Sequence, residues 1–470
     1  LVKRLRLLFI LLLLFALLLA ERPVSAEDTK LTETVTKDVV VDEPTREKIR
    51  AQDTQILLEL IKLGRFNIHF HEEANRRYPW RSALYPLAQE AGTALSLSNT
   101  LTDLTERARA LEKPRLLSRP ALQKGAEVFL VGTAINGTSS FLELAQNEMV
   151  ILRATKEGYS PEHAELFVKS SLDKVDRLLV ERAKLTDTFS DDRRYQIVDL
   201  DGRLLKHVRD QLLYQFSLWS IASREKMWRE NTFFAIDTVQ AYVNFSSGFL
   251  SLKTYTDRRY TGPAALVSLI SNAIVVVNPF IRDYVGRISA QRQTARLARE
   301  FKGHRPRTMQ KLYEDWQGFQ PYLDQSKPID DASLKQEVHF ISRLAQESRD
   351  LDQGLAYEEK HIEKLRRVAD QQAIAGPIIG MFSVARSTSA TVAYYGFRGH
   401  PNQANGIYLA GRCSQTTGQA YSLYATAHNA FENFKNHQRL KKAGNLPSQI
   451  LANRLGTLDA LEKSVRDSQF

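Results

Sequence analysis

Five nearly uncharged stretches, each mixing Gly, Ala, Ser and Thr with Leu, Ile, Val and aromatic residues, recur along this 470-residue chain. They cover residues 83–101, 125–145, 262–281, 373–397 and 406–431. Glycine inside a helix costs about 1 kcal/mol relative to alanine, and its usual return is close approach of a neighbouring backbone. Gly376 and Gly380 stand in the G-x-x-x-G spacing that lets another helix lie in the groove between them. The third and fourth stretches also open alike, with Thr261-Gly262-Pro263-Ala264 and Ala375-Gly376-Pro377-Ile378. A proline after a glycine suits the first turn of a new helix, where its missing N–H goes unneeded. The roughly 114 residues between these openings exceed the 20–50 of a solenoid repeat, so no regular array is expected.

Length and charge limit how far these stretches suit a membrane. Residues 262–281 are charge-free for twenty positions, the length of a spanning helix. Ten of them are Leu, Ile, Val or Phe, together contributing roughly −3 to −6 kcal/mol toward insertion. Ser268, Ser271, Asn272, Asn278 and Pro279 offset most of that. The second and fourth stretches have charge-free runs of only about fifteen residues, the range of a buried core helix. The expectation is therefore a core of close-packed helices touching a bilayer, with a conditional state in which one or two segments enter lipid, rather than a polytopic protein.

Charged amphipathic helices are expected between these stretches. Ser160-Pro161-Glu162 places a cap, a proline at the first helical position and an acid in the first turn. Phe167, Val168, Leu172, Val175, Leu178 and Leu179 then fall on one face. Equivalent stripes run through Leu205, Val208, Leu212, Phe216 and Trp219, through Met309, Leu312, Trp316 and Phe319, and through Leu334, Val338, Ile341 and Ala345 toward Ile362 and Leu365. Such stripes usually serve as helix-on-helix core. The best strand signal is the short run Tyr195 to Gly202, which ends in Asp-Gly and reads as half of a small hairpin.

The N-terminus reads as an export signal. Lys3, Arg4 and Arg6 precede the apolar run Leu7 to Leu19, and Val24-Ser25-Ala26 supplies small residues at a cleavage site. The run is short for a membrane anchor, which needs about 20 apolar residues. Cys413 is the single cysteine, so no intramolecular disulfide forms, and it reads as a small buried hydrophobe. The formal net charge is +11. An exported basic chain meets anionic lipid headgroups or envelope polymers, so an anionic membrane surface, an envelope component, a protein partner or a second copy are the expected partners, and nucleic acid is not. Arg76-Arg77-Tyr78-Pro79-Trp80-Arg81 interleaves bases with aromatics and suits a lipid interface.

Catalytic and metal signatures are weak. His69 and His71 share a face only on a strand, and no second cluster completes a zinc set. Ser171 and Lys174 match S-x-x-K without its partner motifs. No nucleophile elbow, phosphate-binding loop or dinucleotide fingerprint occurs. No cofactor is expected.

The sequence thus predicts an all-α, extended multi-helix bundle or array with Gly/Ala/Ser-rich core helices and at most one small β-hairpin. Its expected divisions are a signal peptide at 1–26, a leader at 27–44, an N-terminal helical region at 45–155, an amphipathic helical region at 156–260 and a C-terminal helical region at 261–470. The function expected is binding or assembly at the cell envelope, with a soluble scaffold or an envelope hydrolase as alternatives. Candidate membrane or interface residues are Arg76, Arg77, Tyr78, Trp80, Gly262, Pro263, Asn272, Asn278, Gly376 and Gly380.

Overall fold

The computed structural model describes residues 43–75, 79–112, 118–187, 193–302, 311, 314, 317, 332–397, 399–442 and 446–467. The signal, the leader up to residue 42, and the stripe at Met309, Leu312, Trp316 and Phe319 lie outside the described residues; Glu43 and Pro44, expected to end the leader, instead open the first helix. Among the described residues every regular element is helical: α1 Glu43–Asn75, α2 Pro79–Glu112, α3 Arg119–Lys156, α4 Pro161–Thr186, α5 Arg193–Lys253, α6 Thr261–Glu300, α7 Ala332–Gly396, α8 Pro401–Lys442 and α9 Pro447–Asp467. The expected all-α architecture is what the chain forms.

One half of the molecule is built like a water-soluble bundle. The stripes of α4 and α5 meet α1, so that Val168, Leu172 and Val175 pack with Leu205, Leu213 and Phe216 and with Ile56, Leu60 and Leu63. Leu344 and Leu355 of α7 and Leu461 and Val465 of α9 join the same core. Burying each such side chain contributes about 1.5–3 kcal/mol. The cap expected at Ser160 forms, its Oγ accepting from His163 N–H at 3.2 Å. Arg182 in this core bridges Asp53 and Asp201 and donates to the Val198 carbonyl at 2.7 Å.

The expected hairpin at Tyr195 to Gly202 does not form; these residues lie inside α5. A short alternating run is outweighed by the longer helical period, which buries Leu200, Leu204 and Leu205 together. The Asp-Gly pair serves Arg182 instead. Asp201 ion-pairs with it, and a Cβ at Gly202 would sit 2.5 Å from its Nη1.

The other half follows an inverted rule. Here α2 packs on α3, α3 on α5, α5 on α6, α6 on α7, α7 on α8 and α8 back on α2, closing a ring of six helices. Small residues permit several of these contacts. A Cβ on Gly132 of α3 would lie 2.7 Å from the Gly92 carbonyl oxygen of α2. A Cβ on Gly380 of α7 would lie 2.9 Å from Val276 of α6, and one on Gly418 of α8 2.7 Å from Phe382 of α7. Gly376-Pro377 does not open a helix as expected but sits within α7. Packing of α7 against α6 and α8 outweighs the roughly 3 kcal/mol that an interior proline costs.

Side-chain hydrogen bonds cross all six contacts. Gln89 donates to Ser139 at 2.9 Å between α2 and α3, and Ser140 donates to Asp237 between α3 and α5. Gln240 donates to Ser271 at 3.1 Å, Asn272 to the Ser383 carbonyl at 3.1 Å, Ser414 to the Phe382 carbonyl at 3.3 Å and Gln419 to Ser96 at 2.7 Å. Large apolar side chains face outward: Val131 and Phe141, Tyr242 and Phe249, Ile270 and Val277, Ile378 and Met381. From Leu84 to Ala108 every exposed residue of α2 is Leu, Ala, Ser or Thr, whereas Asp103 and Glu106 are buried. The exposed residues of α3 over 128–147, α5 over 228–249, α6 over 262–284, α7 over 377–396 and α8 over 406–427 are likewise uncharged.

Candidate functional site

Neighbouring ring helices run antiparallel because short connections join α2 to α3, α5 to α6 and α7 to α8. All three connections turn at the end of the ring away from that apolar core. There the six helices diverge around a cavity of about 910 Å³. Its walls come from every ring helix: Asp103 and Arg107 of α2, Phe129 of α3, Ser247 of α5, Ser268 of α6, Arg386 of α7 and Tyr408 and Arg412 of α8. The α5–α6 connection adds Asp257, Arg258 and Arg259 at the mouth. In all, five arginines and two aspartates line the cavity.

Charge is unevenly matched in its depth. The buried Asp103 carboxylate is shared, Oδ1 accepting from Arg107 Nε at 2.7 Å and Oδ2 pairing with Arg412. Arg412 also donates to the Tyr408 hydroxyl at 3.0 Å and to Gln415 at 2.8 Å. The Arg107 guanidinium lies over the Tyr408 ring, 3.8 Å from its centroid. Arg386 donates to Ser268 at 2.9 Å. Among the described residues no carboxylate lies within ion-pair distance of Arg386, and its buried Nε has no hydrogen-bond partner. The nearby Glu106 is occupied by Arg109 at 3.1 Å and by the Ser118 N–H at 3.1 Å. Below the cavity Asn272 continues the polar lining, donating to Ser387 as well as to Ser383.

The residues expected from sequence are distributed differently. Arg76, Arg77 and Tyr78 lie outside the described residues, and Trp80 opens α2 with a side chain outside them. Gly262 and Pro263 occupy the first turn of α6, as read; a Cβ on Gly262 would lie 2.6 Å from the Tyr395 hydroxyl. Asn272 and Asn278 are buried, facing into the ring. Gly380 is a close-contact position, while the surroundings of Gly376 lie outside the described residues. Asp103, Arg107, Arg386, Tyr408 and Arg412 were not singled out by sequence. One signal was there: Arg386 and Arg412 are the only Lys, Arg, Asp or Glu in residues 373–397 and 406–431.

Other candidate chemistry is absorbed by packing. Ser171 is buried and Lys174 pairs with Glu59. His69 and His71 diverge on α1, His71 stacking on Trp219 at 4.3 Å between centroids. No metal-binding cluster occurs among the described residues. Cys413, expected to be buried, is exposed, because the inward positions of α8 are taken by Gly411, Arg412 and Gln415. Comparison of the chain with protein-family models, curated proteins and solved structures returned no match.

Proposed function

We propose that this is an exported, membrane-inserted protein that acts by binding, with its six-helix ring in the bilayer, its soluble half in water and the cavity as its binding pocket. The observation that carries this reading is the inversion of the ring, with charges and small polar groups inside and an uncharged apolar wall outside. In water such a wall leaves its apolar area uncovered. In lipid it is the favoured arrangement, because polar and ionisable side chains are tolerated where they face the bundle interior. Sequence reasoning set Ser268, Ser271 and Asn272 against insertion; within the ring these groups spend their hydrogen bonds on neighbours, so the penalty does not apply.

Dimensions support the reading. The exposed Tyr260, which caps α6, and Tyr284 within it bracket Leu266, Ile270, Val277 and Phe280. Their separation corresponds to about 36 Å of helix, enough to put both rings near the two interfaces of a core about 30 Å thick. Two helical stretches, Arg119–Thr186 and Arg258–Glu300, are long and apolar enough to cross a bilayer, and only 28% of the apolar window in each is buried, unlike core helices of a soluble protein. Pro86, Pro279 and Pro377 inside ring helices fit the tolerance of membrane helices for proline. Arg109, Arg119, Lys124, Lys253, Arg258 and Arg259 collect around the hairpin end, against Glu112, Glu127 and Asp257. An exported N-terminus followed by six spans places those hairpins on the cytoplasmic side, where such an excess of positive charge is favoured.

The test is fractionation of the full chain. Alkaline carbonate should leave it in the membrane pellet and detergent should release it. A monodisperse chain in detergent-free supernatant, unchanged by added anionic liposomes, overturns the reading.

A further inference from the structure

We infer that the cavity holds a phosphate monoester group, gripped by Arg386 together with Arg107 and Arg412; this rests on the binding reading above and names its ligand class. Three guanidiniums gather near one carboxylate, which pairs with Arg107 and Arg412, while Arg386 has only the Ser268 and Tyr408 hydroxyls; three positive charges thus stand against one carboxylate. Charge withdrawn from water is costly unless it is paired, and an arginine with no acid partner is the costly member of such a set. Its Nε is buried, without a partner, on a side chain that lines the cavity.

The chemistry of the surroundings selects the anion. A phosphate monoester carries about −1.5 to −2 charge at neutral pH and three acceptor oxygens, which matches the uncompensated charge. Guanidinium forks bind such oxygens in pairs. The Tyr408 hydroxyl and the Asn405 amide lie beside the same arginines, Asn405 accepting from Arg107 at 3.4 Å. A carboxylate would neutralise only one charge. The cavity of about 910 Å³ also far exceeds a lone phosphate, and Phe129, Ala265, Ala390, Ala393 and Phe397 provide apolar wall for the organic part. Arg258 and Arg259, exposed at the mouth, extend the positive field along the entry path.

Two sources share this chemistry: a soluble phosphate and a phosphatidic-acid headgroup reaching the cavity from the bilayer. The test uses the full chain in phosphatidylcholine nanodiscs. One arm titrates inorganic phosphate against chloride at equal ionic strength; the other replaces part of the lipid with phosphatidic acid. A rise in melting temperature in the first arm identifies soluble phosphate, and a rise in the second alone identifies the lipid. Arg386→Met should abolish the rise in either arm while the ligand-free protein melts higher than wild type, because an unpaired buried cation is gone. A merely structural arginine would give the opposite shift on removal. Arg386→Lys, which keeps the charge but loses the fork, should fold and need at least ten-fold more phosphate or phosphatidic acid for half the effect. No rise in either arm, or the same rise in both variants, overturns the site. Should fractionation place the chain in water, the phosphate arm runs unchanged in buffer, so the two readings fail separately.

Discussion

Replacing Gly132 by alanine should destabilise the chain, although alanine is the better helix former. Its Cβ would lie 2.7 Å from the Gly92 carbonyl oxygen and 3.1 Å from Leu95 Cβ, and the converse Cβ on Gly92 would meet the Gly132 carbonyl at 2.7 Å. Each glycine therefore faces the other's backbone, which no rotamer change can move aside. Restoring ordinary contact requires α2 and α3 to part by several tenths of an ångström, stretching the Gln89 bond to Ser139 that crosses the same interface at 2.9 Å. Overpacking of this kind costs about 1–3 kcal/mol, and the helix-propensity gain returns about 1 kcal/mol. A net loss of up to about 2 kcal/mol is expected, and more for Gly132→Val. Gly456 on α9 is the control, since nothing lies within 4 Å of its Cβ position and Gly456→Ala should stabilise by up to about 1 kcal/mol. Far-UV circular dichroism during denaturation, in whichever medium keeps the chain monodisperse, reads both. A Gly132→Ala protein as stable as Gly456→Ala would refute the claim that small residues set the helix spacing.

Outside the ring, burial raises Glu358 to about 7 against Arg454 and the Trp219 indole, whose N–H donates to it at 2.6 Å. Burial, with Lys226 and His361 nearby, lowers His71 to about 4. Glu358 supplies stability that is full below its unfolded value of 4.5 and lost as pH rises through 7; His71 supplies stability present above 6.5 and lost as pH falls through 4. These slopes oppose each other between pH 4.5 and 6.5. Glu358→Gln should expose a gain on the order of 2–3 kcal/mol from pH 4 to 6.5, and His71→Phe a fall of similar size from pH 4.5 to 7, both read by urea melts; parallel pH profiles for the two variants would contradict this. Asp53→Ala should cost about 3 kcal/mol by stripping the buried Arg182 of one of its two acids, and a urea midpoint unchanged from wild type would show that Asp201 alone suffices.

Helix periodicity made much of the apolar core outside the ring legible. The stripes at Val168, Leu172 and Val175 and at Leu205, Leu212, Phe216 and Trp219 became core because each repeats every three or four residues over several turns. The run at Tyr195 to Gly202 was too short to reveal its period, and Gly376-Pro377 too local to show that packing carries α7 through it. Glycine spacing showed that helices would approach closely, but not which ones. The composition of residues 262–281 likewise established a polar component within an apolar helix without saying which way it would face.

Local chemistry along the chain settled the helical class, the close-packed glycine faces and the basic charge, because each depends on neighbours within a few turns. Closure of the ring belongs to another scale. Asp103 stands hundreds of residues before Arg386 and Arg412, and only the return of α8 to α2 brings Arg412 onto a carboxylate already paired with Arg107, leaving Arg386 without a carboxylate. The same closure turns serine and asparagine inward and Ile270, Val277 and Phe249 outward. Facing direction is a property of what surrounds a helix, so no reading of one helix alone contains it.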